Sequence, residues 1–183
     1  MPCLYTQRTF LPEGRYHVFN RSINRRKVFR KPKDYLFFIR KIQKMLLADA
    51  NRIADKSGQL NSEALEIWVV SLLSNHFHLI AVENEEHALS RFMASLLKSY
   101  WHHLNRKYRW KGSIFYRPFR AKPLVTEIQF REAYDYVCWN AIDAGEGITW
   151  INLRYPHPAM LFNKGKKLKI PASGIISGTP RSC

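Results

Sequence analysis

The run "ALEIWVVSLLSNHFHLIAV", Ala64 to Val82, constrains the fold more than any other part of the chain. Its two halves are continuous apolar stretches rich in β-branched residues, each of strand length and too short for an ordinary helix. Only Ser74 and Asn75 interrupt them, and two strands so close in sequence pair antiparallel. In the second strand His76 and His78 replace apolar residues. Alternation puts both imidazoles on one face, with Phe77 and Leu79 on the other.

Other elements frame this pair. "GRYHVFNRS", Gly14 to Ser22, reads as a first strand, and the basic run "NRRKVFRKPK" follows it. Pro32 opens a helix on which Tyr35, Phe38, Ile39, Ile42, Met45, Leu46 and Ile53 recur at helical spacing. "KSGQLNSE" is a loop. From His87 to Tyr108 a second helical stripe holds Leu89, Met93, Leu96, Tyr100 and Leu104. A fourth strand is expected over Phe119 to Val125. Thr126 is then the N-cap of a third helix reaching about Ala144, with Gly145 just past its end.

The order of strand, helix, strand, strand, helix, strand is the split βαβ pattern of a ferredoxin-like α+β fold. The two long helices cover one face of its antiparallel sheet. The other face is left to the additional C-terminal helix and to function. Residues 1–10 read as an N-terminal arm, 11–162 as the single domain, and 163–183 as a basic, flexible tail with too little apolar content to pack.

A chain of 183 residues with 46% hydrophobic content can bury one substantial core. Its net charge of +16, from 30 Lys and Arg against 14 Asp and Glu, is costly through self-repulsion unless a polyanion is the partner. Nucleic acid is the first reading, because phosphate neutralisation supplies most non-specific affinity. A basic surface that is merely solvated is the plain alternative. Cys3, Cys138 and Cys183 contain no Cys-x-x-Cys pair, which fits a reducing compartment and excludes a thiolate zinc site. No secretory h-region opens the chain, and no apolar run approaches the roughly 20 residues of a membrane span. A cytoplasmic, nucleoid-associated protein is expected.

On the third helix Phe130, Ala133, Tyr134, Val137 and Ala141 gather into one apolar stripe. Tyr136 and Asn140 stack one turn apart on a different face. His-x-His also occurs on half-exposed strands without a ligand, and a rim tyrosine is ordinary. Together, however, two imidazoles, an amide, a tyrosine and a highly basic chain suggest phosphodiester chemistry. A divalent ion polarises the phosphate as a Lewis acid. A tyrosine hydroxyl, with a reference pKa near 10, attacks phosphorus to leave a covalent phosphotyrosine.

These residues carry a resemblance. "NHFHLI" resembles the Asn-His-x-His-Leu core of the HUH single-tyrosine transposases, those of the simplest insertion sequences and the REP-associated tyrosine transposases. "LPEGRYHVFNRSINRRKVF" is similar to that family's opening strand and basic turn, and "LLKSYWHHLNRKYRWKGSIF" to its second helix and following turn. "YVCWNAIDAG" resembles its closing helix, with Cys138 where the family usually has His and Ala141 where it has Pro. The likeness runs from about Leu11 to Ile148.

It implies that His76 and His78 are metal ligands, that Asn140 is a further ligand, and that Tyr136 is the nucleophile forming a 5′-phosphotyrosine. It also implies Mg²⁺ or Mn²⁺ as the ion and single-stranded, hairpin-bearing DNA as the substrate. Arg21, Arg25, Arg26, Lys27, Lys98, Arg106, Lys107, Arg117, Arg120 and Lys122 are the candidate DNA-binding cations. Trp110, Phe115 and Tyr116 lie among them as candidate stacking platforms, although Phe115 suits the core better.

Two competing readings differ in class. A non-catalytic DNA-binding protein derived from a mobile element would share the fold without needing His76, His78, Tyr136 or Asn140. A replication-initiator or relaxase-type nickase shares the two-histidine site but usually sits in a longer, multidomain chain. Monomer and homodimer both stay open at the level of sequence.

Overall fold

A computed structural model describes residues 14–57, 64–152 and 175–177. In chain order they form β1 (Gly14–Arg21), a single 3-10 turn (Ile23–Arg25), α1 (Pro32–Ser57), β2 (Leu65–Leu72), β3 (His76–Glu83), α2 (Ala88–Tyr108), β4 (Arg120–Pro123), α3 (Glu127–Asp143), β5 (Ile148–Ile151) and β6 (Ile175–Ser177). The arm 1–10 and most of 163–183 lie outside the described residues, as does the side chain of Ile53.

One six-stranded sheet runs in the order β4-β1-β3-β2-β5-β6, and every pairing in it is antiparallel. Its first four strands have the expected ferredoxin-like order. The last two were not anticipated. β5 has only four residues and β6 three, too few for alternation to be legible in sequence. β5 satisfies the open edge of β2, pairing Leu72 with Ile148 and Val69 with Ile151. Residues 175–177, expected within a flexible tail, pair with β5 instead.

Gly147 makes the return to β2 possible. Its φ is +86°, and a Cβ there would stand 2.0 Å from the Leu72 carbonyl oxygen. Only glycine fits that approach.

Two cores result. α1 and α2 pack on one face, where Phe38, Ile42, Leu96, Tyr100 and Leu104 meet Val18, Phe77 and Leu79. On the opposite face α3 lays Phe130, Tyr134, Val137, Cys138 and others over Val69, Ile80 and Ile151. The start of α1 is fixed by buried Asp34. It accepts hydrogen bonds from Lys107 Nζ (2.5 Å), Tyr108 Oη (2.8 Å) and His103 (3.0 Å), and from the backbone N–H groups of Arg30 and Lys31. Burial raises the Asp34 pKa, but those hydrogen bonds outweigh it, Lys107 first, and bring it down to about 2. No helix among the described residues is long and apolar enough to cross a membrane.

Candidate active site

α3 begins at a full capping box. The Thr126 side chain accepts from the Gln129 N–H, and the Gln129 side chain accepts from the Thr126 N–H. The helix then runs antiparallel to β3. At its start Glu127 pairs with Arg15, whose strand partner is Val82. Midway, Tyr136 meets His78, and just past its end Glu146 accepts from Ser74 Oγ at 2.9 Å. Asn140 therefore stands toward the His76 end of the strand.

Alternation holds as expected. Phe77 and Leu79 are fully buried in the first core, while His76 and His78 lie half-buried on the α3 face. Strand register adds neighbours on that face, with Arg21 opposite His76, Phe19 and Ser71 opposite His78, and His17 opposite Ile80. The Tyr136 ring, 51% exposed, stands edge-on to both His78 (centroids 5.4 Å apart) and His17 (5.9 Å). Tyr134 is fully buried. Cys138 and Ala141, the two departures from the family pattern, are both buried, Cys138 within the second core.

His17 is the residue that sequence reasoning missed. Its Nε2 lies 2.9 Å from His78 Nδ1, and the two rings stack with centroids 5.2 Å apart. The His76 ring is also 5.2 Å from that of His78. Three imidazoles thus share one face. Burial lowers the pKa of each. His78 falls to about 3, with the neighbouring His17, His76 and Arg21 adding to the effect. His17 falls to about 4, with Lys122 contributing after burial. His76 is lowered by burial and then Arg21, and Glu146 opposes the shift. All three are neutral at pH 7, the form that keeps a lone pair.

The donor set suits a hard or borderline divalent ion only in part by itself. Among the described residues no three His, Cys, Asp or Glu side chains group as a metal cage. His76 and His78 are neighbouring nitrogen donors, and Asn140, one turn beyond Tyr136, is the oxygen donor expected from the sequence. Such a set leaves positions for water or phosphate oxygens, as Mg²⁺ and Mn²⁺ sites commonly do. Asn140 Nδ2 is buried and has no hydrogen-bond partner among the described residues.

The candidate DNA-binding cations divide by location. Arg120 and Lys122 on β4 lie opposite Phe19 and His17, so with Arg21 they are exposed on the histidine face. Arg25 and Lys27 lie on the turn beside Asn75, whose Nδ2 donates to the Arg25 carbonyl. Arg26 stacks over Trp110 at 4.3 Å. Lys98, Arg106 and Lys107 stand on α2, in the layer across the sheet. Lys98 and Arg117 share a groove there with Trp101, His102 and exposed Tyr116. Lys107 is tied to Asp34. Trp110 and Phe115 are buried.

No protein-family model and no curated protein sequence matches the chain. Among solved structures it is similar to a REP-associated tyrosine transposase bound to a REP hairpin, with a TM-score of 0.56 and 19% identity over 76% of this chain and 73% of that one. A proposed transposase from Deinococcus radiodurans R1 (TM-score 0.38, 15% identity, 72% of this chain and 94% of that one) overlaps too loosely to bear on the fold. So does the tRNA(His) guanylyltransferase of Saccharomyces cerevisiae (TM-score 0.39, 11% identity, 78% and 64%). The chain has the α+β fold of a REP-associated tyrosine transposase.

Proposed function

We propose that the protein is a metal-dependent, transposase-type endonuclease and strand-transferase that cuts and rejoins single-stranded DNA through Tyr136. The observation that carries this reading is the meeting of Tyr136 with two neutral imidazoles, at 5.4 Å from His78, on a face flanked by Arg21, Arg120 and Lys122. A rim tyrosine alone would be ordinary, so its meeting with the imidazoles carries the reading, and a DNA-binding protein would not need them.

In this reading His76, His78 and Asn140 hold Mg²⁺ or Mn²⁺, which supplies Lewis-acid polarisation of the scissile phosphate. Arg21, Arg120 and Lys122 bind and orient the phosphodiester. The Tyr136 oxygen forms a bond to phosphorus as the P–O3′ bond breaks. Its phenolic proton passes to water, and the departing 3′ oxygen gains one. The products are a 5′-phosphotyrosine and a free 3′ hydroxyl. Attack on the phosphotyrosine by another 3′ hydroxyl reverses the chemistry and joins strands. The hairpin in the similar transposase structure makes hairpin-bearing single strands the first substrate to try.

Incubation with such an oligonucleotide and Mn²⁺, followed by a denaturing gel, should show a protein–DNA adduct that resists heat and detergent. DNA binding with no adduct and no cleavage would instead support the non-catalytic reading.

A further inference from the structure

We propose that His17 and Asn75 are positioning residues for the two metal-binding histidines, each fixing the Nδ1 proton of one imidazole so that both Nε2 atoms keep their lone pairs. This rests on the metal reading above. A neutral imidazole carries one N–H and one lone pair, and the partner of one nitrogen decides which is which.

For His76 the assignment follows from a chain of contacts. Its Nδ1 lies 2.6 Å from Asn75 Oδ1. A carbonyl oxygen only accepts, so His76 Nδ1 bears the proton. The orientation of the Asn75 amide is itself set, because its Nδ2 faces the Arg25 carbonyl at 3.4 Å. That carbonyl belongs to a turn in which Asn24 and Arg25 both have positive φ, 55° and 52°. The turn also docks on the β2–β3 connection through Ser22 N–H to the Asn75 carbonyl, at 2.9 Å.

For His78 the partner is His17 Nε2 at 2.9 Å. One of these two nitrogens carries the proton. If His17 donates, His78 bears its proton on Nε2 and has no lone pair left to offer. If His78 donates, His17 accepts, and His78 Nε2 is free. Only the second arrangement is compatible with a ligand role. His17 is held for it by the β1–β3 register and by ring stacking on His78. Neither His17 nor Asn75 has to touch the ion or the DNA. Each acts through the histidine it holds.

The test uses the full chain without DNA and two readouts. Nitrogen NMR of the metal-free protein at neutral pH should show His76 and His78 protonated on Nδ1. Mn²⁺ titration followed by electron paramagnetic resonance then gives affinity. His17→Phe and Asn75→Leu remove the acceptors and should weaken Mn²⁺ binding about 10- to 100-fold each. His17→Gln and Asn75→Asp keep an acceptor oxygen and should restore most of that loss. Thermal melts of all four exclude unfolding as the cause.

Nε2 protonation of His76 or His78 in the wild type would overturn the proposal whatever the metal does. So would Mn²⁺ affinity within twofold of wild type in both acceptor-free variants. Wild-type Mn²⁺ binding no better than that of a His76→Ala/His78→Ala variant would sink the metal reading itself, and this proposal with it.

Discussion

The Tyr136 ring stands edge-on to the His78 ring with centroids 5.4 Å apart, while Tyr134, two residues earlier, is fully buried beside Phe130 and edge-on to Trp68. One helix thus separates two tyrosines by environment. Tyr136→Phe removes only a hydroxyl that is exposed on the site face. It should eliminate the covalent DNA adduct while leaving hairpin affinity and melting temperature close to wild type. Tyr134→Phe should keep the adduct and lower stability by at most about 1 kcal/mol, the worth of an ordinary hydrogen bond. Peptide mass spectrometry of the trapped adduct places the phosphate. Its appearance on Tyr134 would refute the assignment of the nucleophile.

Replacing His76 and His78 together with Ala should abolish cleavage and leave DNA binding in place, because the proposed phosphate contacts come from Arg and Lys. Excess EDTA should do the same to the wild type, and Mg²⁺ or Mn²⁺ should restore it. Zn²⁺ is expected to bind tightly, since imidazole suits it, without supporting turnover. Asn140→Ala should weaken Mn²⁺ binding less than loss of a histidine does. Undiminished cleavage in the double variant or in EDTA would remove the ion from the mechanism.

Much of the geometry around the candidate residues was legible because its signals are local. The shared face of His76 and His78 follows from alternation within one strand, and the one-turn spacing of Tyr136 and Asn140 follows from the helical period. Thr126 as N-cap and Gly145 just past the end marked the limits of α3 by their own chemistry. His17 was not legible, because it reaches His78 only through the register of two strands whose sequences are 61 residues apart at that point. β5 escaped for a similar reason, since "ITWI" becomes a strand by completing the edge of β2. The roles of the cations depended on packing as well. Lys107 resembles a solvated lysine in sequence, yet its charge is committed to buried Asp34.

That difference among cations can be measured. Affinity for single-stranded DNA should fall with salt at a log–log slope of about −0.7 per phosphate neutralised. Arg21→Ala, Arg120→Ala and Lys122→Ala lie on the histidine face, and each should weaken binding and flatten that slope by up to about 0.7. Lys107→Ala should behave differently. It leaves Asp34, at 0% exposure, without its shortest partner, so the expected effect is destabilisation with the salt slope unchanged. Equal slopes for the wild type and the Arg21/Arg120/Lys122 variants would place the DNA elsewhere on the protein.

Acid should act on the histidine face before it acts on Asp34. His17 and His78 have folded pKa values of about 4 and about 3, below the usual 6.5 of an unfolded chain. Between those limits the unfolded chain binds more protons than the folded one, so stability falls as pH falls. The loss begins near 6.5, and each histidine contributes a slope of up to about 1.4 kcal/mol per pH unit. Asp34 is shifted in the same direction, from 3.8 to about 2, but its contribution is fully present above 3.8 and is lost only as pH drops through its folded value. Urea denaturation of the metal-free protein at pH 7.5, 6.0 and 5.0 therefore reads the histidines without interference from Asp34. Stability should decline across that series, and His78→Leu should flatten the decline. Under the proposed metal role, Mn²⁺ should raise the stability of the folded protein at each pH, with less effect as protons compete for the ligands. A wild-type profile that is level from pH 7.5 to 5.0 would mean that the imidazoles on this face are not held neutral by burial, and the ligand role would lose its physical basis.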